Sequence, residues 1–127
     1  MSAITPRAIV VTMLIAACAR RSSSAHVVEG GNAERGRGLI RVYGCGSCHT
    51  VPGVRGANAL VGPNLDGIAS RSYIAGVLTN DPENMVRWIE NPLAVDSKTA
   101  MPNLNVPDRD ARDIAEYLYR LKARNSQ

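Results

Sequence analysis

The sequence predicts an all-α fold with long loops, and three observations carry that expectation. Apolar residues recur at helical spacing in separate segments. No segment alternates apolar and polar residues over a useful length, so no sheet is expected. The chain also holds four Tyr, one Trp and no Phe, although rings usually supply much of a small core. The helices must therefore pack small aliphatics very well or borrow apolar surface from another group. A length of 127 residues allows one such core, not two. With 20% charged and 45% hydrophobic residues, a disordered polyampholyte is excluded. The net charge of +4 is dispersed among interleaved acids and lacks the basic run that nucleic acid binding needs.

The first residues are read as a leader. Met1–Arg7 carries one positive charge, and Ala8–Ala17 is an apolar run too short to span a bilayer but suited to the core of a signal peptide. Ile15-Ala16-Ala17-Cys18 resembles the lipobox of bacterial lipoproteins, in which small residues precede a cysteine that becomes the lipidated first residue. Plain cleavage near Ala17 or Ala25, and an uncleaved anchor, stay open as alternatives. Residues 18–30 read as a flexible tether. Arg20 and Arg21 could meet anionic headgroups, the serines after them are flexible and polar, and the twelve residues 19–30 together give a reach of about 20 Å. His26 lies in this stretch and is read as a solvated side chain. The folded domain is expected over residues 31–127.

A first helix is expected from about Asn32 to Tyr43, with Asn32 as its cap and Ile40 and Tyr43 on one side. Gly36 and Gly38 cost helix stability, which suggests that another helix approaches closely there. Cys45-Gly46-Ser47-Cys48-His49 follows. Two thiols at this spacing suit a redox dithiol, a disulfide or half a zinc site. Zinc needs about four ligands, and only His49 and His26 remain as nitrogen donors. A thioredoxin-type dithiol needs a preceding strand, and the segment before Cys45 is helical. A histidine directly after the second cysteine instead matches the attachment sequence of c-type haem. Two thiols add across the vinyl groups on one porphyrin edge, the two intervening residues span that edge, and the histidine turns its imidazole to the iron. Gly44 and Gly46 are read as removing bulk where backbone meets macrocycle. One motif means one haem, whose apolar plane also answers the shortage of rings. Covalent haem is attached after export, in line with the leader.

A histidine with a distal methionine saturates haem iron and raises its reduction potential. Outside the leader the methionines are Met85 and Met101. Met85 lies in an expected helix, Pro82–Asn91, capped by Asp81 and ended before Pro92. It shares a face with Trp88 and Ile89 and reads as core. Met101 lies in an aperiodic loop with Pro102 behind it, from which a thioether can cross to the iron. It is the expected second ligand. The last helix is expected from about Asp108 to Lys122. Acids occupy its first turn, Ala111, Ile114, Ala115 and Leu118 form its buried stripe, and Tyr117 or Tyr119 is placed over the two glycines.

In this order the signals resemble a class I (His/Met) cytochrome c. The likeness covers about Gly31 to Arg124. Cys45-Gly46-Ser47-Cys48-His49 is the strong signal. Val61-Gly62-Pro63-Asn64-Leu65, the Trp88 helix, Met101-Pro102-Asn103 and Tyr117-Leu118 support it by their order. The chain is similar to the small membrane-associated cytochromes, and fused haem-c domains, that serve bacterial haem–copper oxidases. The resemblance implies a small cytochrome c fold packed around one haem c, held through Cys45 and Cys48 with His49 and Met101 as iron ligands. It implies that the Pro63 carbonyl accepts the His49 Nδ1–H, that Arg71 and Trp88 meet haem propionates, and that Tyr73 and Asn80 approach the propionate side and the distal face. It departs from the pattern in having only Lys98 and Lys122 as lysines. The docking face is therefore expected to be more apolar, with Lys98 near the exposed haem edge.

The expected function is a monomeric one-electron carrier, not an enzyme. It would sit on the periplasmic side of a bacterial membrane, lipid-anchored at Cys18, between a quinol:cytochrome c reductase or dehydrogenase and a terminal oxidase. Two alternatives stand beside it: a fixed electron-transfer subunit of a periplasmic dehydrogenase, and a gas-binding or peroxidatic haem protein, which would need an open iron.

Overall fold

The structure, a computed structural model, describes residues 26–121. The expected leader (1–17), the lipobox Cys18 and the tether as far as residue 25 lie outside the described residues, as does Lys122. Among the described residues, no helix is long and apolar enough to cross a membrane.

Among the described residues there are four α-helices: α1 Ala33–Val42, α2 Pro82–Glu90, α3 Pro92–Val95 and α4 Asp108–Arg120. Each start has a local cause. Asn32 caps α1 by accepting the Arg35 N–H at 2.9 Å, and Asp81 caps α2 by accepting the Asn84 N–H at 2.9 Å. Asn91 ends α2 and caps the short α3 through the Ala94 N–H at 3.1 Å, with Pro92 opening that turn. Thus Pro92 both stops one helix and starts another, and α3 is an element the sequence reading did not anticipate. Helix α4 follows Pro107 and carries Asp108 and Asp110 in its first turn.

Helix α1 packs on α4. A Cβ at Gly36 would lie 1.9 Å from the Asp113 carbonyl oxygen, so the backbones touch where the glycine stands. Gly38 has no such role, since a Cβ there would meet nothing within 4 Å among the described residues. Tyr117 and Tyr119 do not cover these glycines as expected. Tyr117 Oη donates to the Pro52 carbonyl at 2.7 Å, and Tyr119 Oη to Asn80 Oδ1 at 2.8 Å. Ile40, Met85, Trp88, Ile89, Ala111, Ile114, Ala115 and Leu118 are buried in one core.

Two buried carboxylates on α4 hold the chain that leads into α1. Asp113 is fully buried, accepts the Asn32 N–H at 2.7 Å and pairs with Arg35. Glu116 accepts the Val28 N–H at 2.9 Å and pairs with Arg120. Val28 is 2% exposed and the His26 ring stacks on Tyr119, centroids 4.7 Å apart. His26 and Val28, within the stretch read as tether, therefore pack on the domain, and His26 is not simply solvated.

Among the described residues a small antiparallel pair departs from all-α structure, β1 Tyr73–Ile74 and β2 Leu78–Thr79, with Tyr73 opposite Thr79 and Ile74 opposite Leu78. Strands of two residues are too short to show alternation.

Candidate haem site

The motif cysteines sit where α1 ends. Gly44 takes a φ of +72°, a left-handed conformation that terminates the helix. A single 3₁₀ turn, Cys45–Ser47, follows, and the His49 N–H donates to the Cys45 carbonyl at 3.0 Å. This compact turn brings Cys45, Cys48 and His49 to one wall. Gly46 faces the chain rather than a macrocycle: a Cβ there would lie 2.8 Å from the Ala57 Cα. Both thiols are partly buried, and neither is in a disulfide. Burial pushes the Cys45 thiol up from its ordinary value. A hydrogen bond from its own backbone opposes this, and the neighbouring Cys48 adds to it.

A cavity of about 590 Å³ opens from this wall, within the ~300–1,000 Å³ typical of cofactor sites. Its floor is core: Ile40, Ile68, Met85, Ile114 and Leu118. Cys45, Cys48 and His49 line it on one stretch of chain, and the 99–104 loop brings Met101 and Pro102 to it. His49 Nδ1 lies 2.8 Å from the Pro63 carbonyl oxygen. That bond gives Nδ1 the proton and leaves Nε2 with its lone pair. Gly62 makes the arrangement possible, because a Cβ there would lie 2.5 Å from the His49 ring. The Gly62 N–H also donates to the Cys48 carbonyl at 2.7 Å, tying the 62–63 segment to the motif itself.

The remaining expected residues divide. Trp88 is 8% exposed and lines the cavity, and its indole N–H takes no acceptor among the described residues. Tyr73 is exposed and stands at the cavity rim. Arg71 lines the cavity, with one guanidinium nitrogen directed at the Asn64 and Asp66 carbonyls. Asn80 departs from its expected place: it is buried, does not line the cavity, and spends its amide on Ile68, Arg71 and Tyr119. Met85 is 1% exposed and on the core face of α2 as expected, and part of it reaches the cavity wall. Sequence reasoning missed the buried Asn80–Tyr119 pair, because two residues 39 positions apart leave no periodic signal.

The donor set fits a covalent haem. Two thiols, an imidazole with its tautomer set and a thioether line one apolar cavity, and among the described residues no cluster of His, Cys, Asp or Glu could hold a bare metal ion. A small helical domain with this motif and cavity is a haem-c domain of class I type. The chain belongs to the cytochrome c family, whose model matches residues 33–122. It is 32% identical over 91 residues to cytochrome c oxidase subunit 2 of Alkalihalophilus pseudofirmus, covering 71% of this chain and 26% of that protein. The same subunit of Bacillus subtilis is 32% identical over 95 residues, covering 72% and 27%. The chain thus spans about a quarter of the length of these relatives. The crystal structure of cytochrome c2 from Rhodobacter sphaeroides shares the fold, with a TM-score of 0.58 and 24% identity over 74% of this chain and 98% of that one.

Proposed function

We propose that this protein is a membrane-surface electron carrier that delivers single electrons to a terminal oxidase. The observation that carries the reading is that His49 and Met101 line the same apolar cavity as the two motif thiols. When bound, the haem supplies an iron that passes between ferric and ferrous states. The chain's own residues do the rest. Cys45 and Cys48 would hold the group covalently. His49 Nε2 and Met101 Sδ would ligate its iron, and the Pro63 carbonyl keeps the His49 ring in one orientation. Arg71 and Trp88 would donate to propionates, and Tyr73 would stand at the exposed edge. The apolar floor keeps water away, so little needs to rearrange when the charge changes.

Similarity to two oxidase subunits supports an oxidase as electron acceptor. In this proposal a quinol:cytochrome c reductase or a dehydrogenase is the donor. Acylation of Cys18 would hold the protein on the periplasmic membrane surface, where diffusion in two dimensions shortens the search for either partner. The domain works as a monomer.

Carbon monoxide tests the reading. Added to the reduced, matured protein, it is expected to leave the optical spectrum unchanged, because His49 and Met101 would both hold the iron. A prompt change to a carbonyl-bound spectrum would overturn the saturated-iron reading and make a gas-binding role the better one.

A further inference from the structure

Asn80 is 6% exposed, and its side-chain amide is fully used. Nδ2 donates to the carbonyls of Ile68 and Arg71, each at 2.8 Å. Oδ1 accepts from Tyr119 Oη at 2.8 Å. The two carbonyls belong to the first residue of the 3₁₀ turn Ile68–Ser70 and to the residue just after it, so one amide grips both ends of that turn. Arg71, at the far end, points its guanidinium back to the carbonyls of Asn64 and Asp66. Asn64 adjoins Pro63, whose carbonyl accepts from His49. An unbroken run of hydrogen bonds and peptide units therefore leads from α4 to the acceptor of His49.

The run has no slack. The Leu65 N–H is tied to the Thr50 carbonyl at 2.9 Å, one residue past His49. On the other side, Tyr119 is clamped between its bond to Asn80 and the stacked His26 ring. A fold that needed only a satisfied polar core could place these groups anywhere. Here they hold the segment that orients the histidine.

We propose that Tyr119 and Asn80 are positioning residues for His49: they hold the 63–71 segment so that the Pro63 carbonyl stays on Nδ1 and sets how strongly the ring donates to iron. The proposal rests on the reading of His49 as an iron ligand. A firmly held Nδ1–H makes the imidazole more basic, which favours the ferric state. Loosening the segment weakens that bond and raises the reduction potential.

The test uses the holoprotein and two phenol-to-phenyl variants. Tyr119→Phe keeps the ring and its stack on His26 but removes the hydroxyl that Asn80 accepts. Tyr117→Phe removes a hydroxyl bonded to the Pro52 carbonyl at 2.7 Å, outside the 63–71 segment and off the cavity wall. In Tyr119→Phe the amides of Ile68, Ser70 and Arg71 are expected to exchange about fivefold faster, the effect of one lost buried hydrogen bond. The midpoint potential should rise and the His49 Nδ1–H resonance of the ferric protein should move. Tyr117→Phe should leave the potential and that resonance at their wild-type values. The proposal is overturned if Tyr119→Phe titrates at the wild-type potential with an unmoved His49 resonance, however much stability it loses. Asn80→Ala, where it folds, should exceed Tyr119→Phe in the same direction. Failure of the underlying ligand assignment is read separately, on the wild type alone: a ferric spectrum with no iron-shifted His49 ring protons removes that assignment and the proposal with it.

Discussion

In the proposed function Met101 is the residue on which saturated ligation would depend, and its place on the 99–104 loop explains why it can be changed alone. The loop is held by its own turn, with the Met101 N–H donating to Thr99 Oγ1 at 3.2 Å. Met101→Ala should therefore leave both thioether links and the helices intact. It is expected to lower the reduction potential, because a thioether stabilises ferrous iron, and to admit carbon monoxide. A redox titration checks this, and an unchanged potential would remove Met101 from the iron. Other residues at this scale were legible in kind but not in cause. Gly62 stood within a motif, yet its reason for being glycine is the His49 ring beside it. Asn80 looked like a haem-facing residue and is instead a buried bridge to α4.

At the scale of elements, the α1–α4 contact is the joint that the rest of the fold leans on. Gly36 and Gly38 look alike in the sequence and differ entirely in surroundings. Gly36→Ala pushes a methyl group into backbone that cannot step aside. The variant is expected to lose about 1–3 kcal/mol by overpacking, more than the ~1 kcal/mol of helix propensity it gains. Gly38→Ala meets open space and should gain up to ~1 kcal/mol. Urea unfolding of the two variants checks the contrast, and equal midpoints would contradict it. Helix ends were readable because caps act within one turn: Asn32, Asp81 and Pro107 mark starts at their own positions. The β1–β2 pair and α3 were not, because each is shorter than the window in which a period can be seen.

At the scale of the whole molecule, three tyrosines tie α4 and α1 to the rest of the domain, and all three titrate above the ordinary tyrosine value. For Tyr43 the main cause is its hydrogen bond to Asp110, whereas for Tyr117 and Tyr119 it is burial. A raised folded-state value means that the stability they contribute is complete below about pH 10 and is lost as pH rises through the folded values. The urea midpoint should therefore fall in base, and Tyr119→Phe should flatten that fall. Parallel declines in wild type and variant would show that other groups drive alkaline unfolding.

The sequence by itself determined the covalent chemistry, the number of haems, the helical class and most helix ends. These rest on residues that act within a turn of one another: Cys45, Cys48 and His49 on one tight bend, and caps beside the helices they start. Tertiary structure alone decided which glycine is a contact, what Asn80 and Tyr119 bind, and that His26 and Val28 belong to the domain. Those outcomes depend on segments up to 88 positions apart, as between Val28 and Glu116. No local pattern encodes such a pairing, because chain folding sets the distance and burial makes the hydrogen bond obligatory.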